Sequence, residues 1–223
     1  IRSFQRSADL KSEKDADFYE GMTKAYFNLC DYQQAKASAF QMQQKLQHDG
    51  GDPSALALSM QWLGQISAAL GEPAKAIAQY RQALAMWSEA GDTSHYDFGK
   101  NCIFLGDAYC AAGQPKDALG WYQQTLTFFI PGFSGNLQSN PKLEQLPNEI
   151  WVMEALLGKA RAWEQCFDIP GRNISFQDTT LLQNALASAE MAALAMLHMK
   201  TLYQEDLSKL HMDRYGSLRF FEK

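Results

Sequence analysis

The sequence lacks most of the short motifs that identify an enzyme or a membrane protein. It contains no CxxC, HxxxH or HExxH spacing, and no glycine-rich loop that ends in Lys-Ser or Lys-Thr. Zinc sites and phosphate sites of the common kinds are therefore not predicted. No uninterrupted apolar run approaches the roughly 18 residues needed to span a bilayer, so we expect no membrane segment.

A strong excess of charge of one sign is also missing. The chain has 20 basic and 25 acidic residues, a net charge of −5, and its Lys and Arg residues are scattered. A basic surface for nucleic acid or for anionic lipid is therefore not expected. Hydrophobic residues make up 46% of the 223 residues, which is enough for a sizeable apolar core. A disordered chain is not expected at this composition.

The ends and the cysteines suggest where the chain belongs. The first residues, IRSFQRSADLK, include neither an initiator Met nor the apolar stretch of a signal peptide, so we expect an excised piece of a longer protein. On one helix Cys102 and Cys110 would be about 12 Å apart, which is too far for a disulfide. Buried free thiols in a reducing cytoplasm are the expectation for all four cysteines: Cys30, Cys102, Cys110 and Cys166.

The chain does contain an internal repeat. Residues 104–126, FLGDAYCAAGQPKDALGWYQQTL, repeat residues 62–84, WLGQISAALGEPAKAIAQYRQAL, with nine of 23 positions identical. In both copies a helical stripe ends at a glycine and a proline follows two residues later, which predicts a helix, a turn and a second helix. The repeat therefore predicts a chain built from helix pairs.

Small and large residues alternate at fixed places in the two copies. Gly64 and Ala76 are predicted to let the two helices of one pair approach closely, with Tyr80 filling the space between them. Gly106 and Tyr122 take the same places in the next copy, together with Ala118. A bulky residue at either glycine would force the helices apart, at a cost of about 1–3 kcal/mol.

This pattern resembles the tetratricopeptide repeat (TPR), whose usual period is about 34 residues. The period here is 42, and the additional residues would lengthen each helix by about one turn. The resemblance implies an all-α fold, a right-handed superhelical solenoid of antiparallel helix pairs in a single domain over residues 1–223. Its predicted parts are units at about 12–50, 52–92, 94–130 and 148–203, a partial helix at 1–11 and a capping helix at 206–222.

The second half has a narrower resemblance. LLGKARAWEQ, an alanine-rich helix and LYQEDLSKL look like the region before the caspase-like CHAT domain of bacterial TPR-CHAT proteins. The resemblance implies that this chain is the sensor or regulatory arm, and that the His–Cys dyad of the protease would lie beyond Lys223. No catalytic residue, metal or cofactor is then predicted here, although a Cys–His pair within the chain stays a formal alternative.

In TPR proteins the first helices of successive pairs line a concave groove, where we expect a protein or peptide partner to bind. The downstream domain of the same chain is one such partner. Register places ten residues of the groove at Asp17, Glu20, Lys24, Asn28, Gln61, Gln65, Lys100, Asp107, Lys159 and Trp163. This set mixes both signs and lacks the Lys/Arg-rich clamp that captures a terminal carboxylate.

Two alternatives concern the same surfaces. Trp163 is either an exposed aromatic anchor or a residue buried under the loop at 165–178. A receptor for a signalling peptide or small ligand would need a pocket at Lys24, Gln65, Asp107 and Trp163. A cluster of methionines at helical spacing is interpreted as core rather than as an adaptable binding surface: Met191, Met196, Met199 and Met212.

Overall fold

The computed structural model describes residues 15–94, 96–147, 149–167 and 176–209. These ranges contain eight α-helices and no strand. The helices are α1 (Ala16–Asn28), α2 (Tyr32–His48), α3 (Pro53–Ala69), α4 (Pro73–Glu89), α5 (Tyr96–Ala111), α6 (Pro115–Phe129), α7 (Ile150–Phe167) and α8 (Phe176–Lys209). One 3₁₀ turn, Leu143–Gln145, lies in the long connector between α6 and α7.

The helices form two layers. Each helix packs on the next, and α1, α3, α5 and α7 also contact one another in that order. These first helices of the four pairs therefore make one layer, and the second helices make the other. The predicted all-α solenoid of helix pairs is confirmed.

The turns inside the pairs have a common backbone conformation. Gly71 and Gly113 have φ values of 74° and 71°, in the left-handed region that glycine enters without a steric penalty. Cys30 occupies the corresponding turn of the first pair with a φ of 58°. A side chain in this conformation costs about 1 kcal/mol, so the first pair has a less favourable turn than the next two.

The glycine–tyrosine packing that the repeat predicts is present. A Cβ atom added at Gly64 would lie 2.4 Å from the ring of Tyr80, and one at Gly106 would lie 2.7 Å from the ring of Tyr122. Gly158, in α7, approaches the same Tyr122 ring, at 2.3 Å from an added Cβ. The ring of Tyr122 therefore lies between two glycines of consecutive pairs.

The last helix differs from its prediction. α8 continues to Lys209, through the break predicted between the last unit at 203 and the capping helix at 206. No Gly or Pro occurs between Phe176 and Lys209, so nothing in this stretch ends a helix. The remainder of the capping helix, and the partial helix at 1–11, lie outside the described residues.

One described helix meets the length and composition criteria of a membrane span, which the sequence analysis did not expect. Thr179–Leu202 in α8 is long and apolar enough to cross a membrane by length and composition, and 17% of its most apolar window is buried. The earlier expectation counted only uninterrupted apolar residues, whereas the average over this helix tolerates Gln183, Asn184 and Ser188. A helix of a soluble protein can meet the same criterion, so the finding is weak evidence for a membrane.

Two of the four cysteines do not have the expected burial. All four are free, but Cys30 is exposed at its turn and Cys110 is only partly buried. Cys102 and Cys166 lie in the core as predicted. Among the methionines interpreted as core, Met196 is 47% exposed.

Candidate partner-binding groove

Three of the predicted groove residues come together on α1. Glu20 is half-buried between Asp17 and Lys24, one turn away on either side. Burial raises the pKa of Glu20, and the charges of Asp17 and of Asp97 on α5 raise it further. The Trp62 indole and Lys24 act in the opposite direction. The N-terminal part of the groove therefore concentrates negative charge from two different helix pairs.

Lys100 joins this acidic region to the aromatic side chains of α7. Its Nζ donates a hydrogen bond to Asp97 Oδ1 at 2.6 Å. The same ammonium lies 5.4 Å from the ring centroid of Trp151 and 5.9 Å from that of Tyr96. Cation–π contacts at these distances are attractive. The ammonium of Lys100 is therefore fixed by the Asp97 carboxylate and by the two aromatic rings.

Tyr96 and Trp151 are linked by hydrogen bonds at the start of α5 and α7. Trp151 Nε1 donates to Tyr96 Oη at 2.7 Å, and that hydroxyl donates to Glu149 Oε2 at 3.2 Å. Phe104 packs edge-on against Trp151, with ring centroids 6.0 Å apart. We call the resulting surface the acidic–aromatic patch, formed by Glu20, Trp62, Tyr96, Asp97, Lys100, Phe104 and Trp151.

Asp107 lies further along the groove and is already engaged. Tyr122 donates its hydroxyl proton to Asp107 Oδ1 at 2.7 Å, and Arg161 Nη2 lies 3.3 Å from the same oxygen. Burial raises the pKa of Asp107, while Tyr122 and Arg161 oppose that increase. Asp107 is still partly exposed, so it connects three helices and also contributes to the surface of the groove.

Lys159 has no exposed surface. Its Nζ donates to Gln123 Oε1 at 2.7 Å, to Ser139 O at 2.6 Å and to Asn140 Oδ1 at 3.0 Å. Desolvation lowers the pKa of Lys159 to about 8. The ammonium thus attaches the long connector to α6 and α7, and no part of it is open to a partner.

Other predicted residues divide between surface and core. Gln61 and Trp163 are buried, with 1% and 7% of their surface exposed. Asn28 is exposed at the end of α1, and Gln65 is partly buried. The binding of a partner by the ten residues stays a prediction, but Gln61, Lys159 and Trp163 have almost no surface with which to make a contact.

Most of the aromatic part of the patch was missed by sequence reasoning. Trp62 follows the buried Gln61, Phe104 takes the place of Trp62 in the next copy of the repeat, and Trp151 packs on Phe104. A signal was available, because Leu58, Trp62 and Gln65 recur at helical spacing and are all partly exposed. The period alone did not separate this face from the neighbouring face that contains Gln61.

The described residues hold no group of three or more His, Cys, Asp and Glu side chains placed to bind a metal ion. Burial raises the pKa of the Cys102 thiol to about 12. A thiol with that pKa is protonated at neutral pH and is a poor nucleophile.

Comparison with known proteins finds a match to one family model and a likeness to solved structures. Residues 54–130 match the tetratricopeptide repeat family model. The crystal structure of BtubC (BKLC) from P. vanneervenii is similar, with a TM-score of 0.54 and 13% identity, covering 89% of this chain and 87% of that one. The yeast Sti1 TPR2AB-domain:pHSP90 complex gives a TM-score of 0.34 and 12% identity, covering 92% and 77%. None of the curated proteins matches this sequence.

Proposed function

We propose that the chain is a non-catalytic scaffold that binds a protein or peptide segment along its concave groove. Tetratricopeptide repeats generally act as scaffolds for protein–protein interaction, and two of the four helix pairs match that family model. The observation that carries the proposal is the acidic–aromatic patch, which extends over the first helices of all four pairs. Partly exposed aromatic residues beside charged residues are typical of a binding site.

The charges of the patch favour a partner with basic side chains. Asp17, Glu20 and Asp97 lie close enough to raise the pKa of Glu20, and Lys100 is already paired with Asp97. A Lys or Arg side chain from a partner would relieve the repulsion at Glu20 and could stack on Trp62. The affinity of such a partner should decrease as the salt concentration rises.

The wider context is also part of the proposal. We place the chain in a bacterial cytoplasm as the regulatory arm of a CHAT-domain protein, supported by the resemblance of its C-terminal half to that family. The partner is then either a separate protein or the downstream caspase-like domain. Sequencing the parent gene beyond Lys223 tests this part, because a gene without a caspase-like domain containing a His and a Cys would contradict it.

A pair of charge reversals tests binding in the groove. Glu20→Lys reverses a charge at the N-terminal end of the patch, whereas Glu89→Lys makes the same change on α4, outside the groove. Partners captured from a lysate by the wild-type chain should be retained by Glu89→Lys and lost by Glu20→Lys, with affinities measured by interferometry once a partner is identified. Equal binding by the two variants would contradict the proposed groove.

A receptor for a small ligand is not favoured by a specific observation. That alternative needs a pocket at Lys24, Gln65, Asp107 and Trp163. The groove between α7 and α8 is lined by other residues, and Trp163 is buried.

A further inference from the structure

One face of α8 is apolar, and no other described part of the chain covers it. Positions 182, 186, 189, 193, 196 and 200 are separated alternately by four and three residues, which places them in one line along the helix. Leu182, Leu186 and Met196 are 44%, 60% and 47% exposed, and Leu197 beside them is 59% exposed. A contiguous apolar surface of this kind on a soluble chain marks a contact site.

A groove of about 600 Å³ runs along this face, between α7 and α8. Its apolar walls are Leu157, Ala160, Leu182, Ala185, Leu186 and Ala189. Glu154, Arg161 and Glu164 line its α7 side. In the preceding pair the corresponding space is filled, because α7 packs on both α5 and α6. Within the described part of the chain, no further helix packs on this groove between α7 and α8.

The charge of the face argues for an identical partner. Between Thr179 and Met199, α8 carries a single charged residue, Glu190. A partner selected by charge would find almost nothing to recognise on this surface. Contacts between identical chains are the more apolar class of interface, and charged residues are depleted at their centres.

We propose that this face is a docking site for a second copy of the chain, with the two α8 helices antiparallel about a two-fold axis level with Met191. In this register Leu186 of one copy faces Met196 of the other, and Ala189 faces Ala193. The small alanines at the centre allow close approach of the backbones, and the larger side chains enter the two grooves. This contact between two α8 helices does not depend on the proposed binding of a partner in the concave groove formed by the first helices.

The register also determines the surroundings of two charged side chains, Lys200 and Glu190. Lys200 of one copy lies opposite Leu182 of the other, close to Glu164 on the rim of the groove, where the opposite charges attract. The two Glu190 side chains meet beside the axis and repel each other. Removing that repulsion with Glu190→Gln should strengthen the dimer, whereas it would have no such effect for an unrelated partner.

Sedimentation of the chain between about 1 and 100 μM tests the dimer, because this range detects a micromolar dissociation constant. The wild-type chain should dimerise, and Leu186→Glu should raise the dissociation constant at least about tenfold. Leu29→Glu, which changes a leucine that is 65% exposed directly after α1, should leave the dissociation constant unchanged. A monomer throughout the range, or equal effects of the two variants, would overturn the proposal.

Mixing two variants tests the register. Leu186→Glu and Met196→Lys each weaken their own dimer, but a mixed dimer brings the new Glu opposite the new Lys. A mixture that associates more tightly than either variant alone, measured by sedimentation with one variant fluorescently labelled, supports the antiparallel arrangement. No gain on mixing overturns that arrangement even if the wild-type chain dimerises.

Lipid is the competing occupant, because α8 is apolar enough to cross a membrane. The chain should remain in the supernatant when phosphatidylcholine vesicles are pelleted, since its apolar face is covered by the second copy. A monomeric chain that pellets with the vesicles would overturn the proposal. Loss of partner binding at the concave groove would bear on the proposed function alone.

Discussion

Two successive junctions of the solenoid start from the same repeated residues and are held together differently. At the junction between the second and third pairs, Tyr80 packs on Gly64 and against Phe104, and Asn101 donates its amide to Tyr80 O at 2.8 Å. At the next junction, the ring of Tyr122 lies between Gly106 of its own pair and Gly158 of the following pair. Arg161 of that following pair reaches Asp107, which also accepts the Tyr122 hydroxyl within the third pair. The second of these junctions is the more polar and the more tightly constrained. The repeated residues thus fix where a helix lies, whereas the contacts that join it to the next pair differ between copies.

The long connector contributes to this difference. It contributes Ser139 and Asn140 to the buried ammonium of Lys159, whereas the connection between α4 and α5 is a short turn. A segment that the repeat does not specify thus supplies part of the third-to-fourth junction. The following experiments change one junction while the other serves as its reference.

The largest effect should come from Gly158→Ala. The added Cβ would lie 2.3 Å from the ring of Tyr122, and Gly106 blocks the ring on its other side, so the helices have to separate. We expect a loss of about 2–3 kcal/mol in the free energy of unfolding, measured by urea denaturation.

A matched control lies in the same helix as Tyr122. Gly120 has open space around an added Cβ, so Gly120→Ala should stabilise the chain by about 0.5–1 kcal/mol through helix propensity. A loss from Gly158→Ala no larger than a few tenths of a kcal/mol would show that Tyr122 is not clamped.

Lys159→Met should destabilise the chain by about 2 kcal/mol, because three buried acceptors lose their donor. Proteolysis should show the connector cut faster in this variant, at sites between Ile130 and Ile150. Unchanged cleavage together with unchanged stability would mean that the connector is held by its other contacts.

The same substitution isolates a pH effect. The pKa of Lys159 is about 8 in the folded chain, whereas the ordinary value of 10.5 applies to the unfolded chain. Between these two values the unfolded chain therefore binds more protons. The stability of the wild-type chain relative to Lys159→Met should therefore increase from pH 8 to pH 10.5, by at most about 3 kcal/mol. Chemical denaturation of both chains across this range measures the difference, and a constant difference would contradict the lowered pKa.

Tyr122→Phe removes one hydroxyl and should cost about 1 kcal/mol, since Asp107 loses its hydrogen bond in a partly buried site. Tyr80→Phe is the reference, because no hydrogen bond from the Tyr80 hydroxyl is present in the described part of the chain. Thermal unfolding should place the Tyr122→Phe transition below that of Tyr80→Phe. The reverse order would indicate that the polar contacts of the later junction contribute little.

Thiol labelling gives the smallest but most local signal. Cys30 is exposed and should react first, while Cys102, with a pKa raised to about 12 by burial, should react last. Cys166 is also buried, but it lies in the last described helix pair, where local opening should be easier. Mass spectrometry should find Cys166 labelled before Cys102, and equal rates would show that the two regions open together.

The sequence contained the helix pairs and the glycine–tyrosine contacts, because both follow from a repeated period and from the sizes of a few side chains. Gly64 and Tyr80 could be paired in this way without any long-range information. Lys159 could not be placed, since it has the register of the partly exposed Asp107 and is buried only because the connector folds over it. Trp62 was missed for a different reason, because an error of one residue in the register exchanges the core face that contains Gln61 for the groove face that contains Trp62.

The buried ammonium of Lys159 has a consequence for how such a chain can change in evolution. Helical-repeat proteins usually gain and lose units because each unit touches only its neighbours. Here the ammonium of Lys159 on α7 donates hydrogen bonds to α6 and to the connector. Removal of any of these three segments would leave buried polar groups of the others without a partner. Units can be inserted or deleted before α5 without touching this arrangement. The last two pairs have to be inherited together, as one indivisible module.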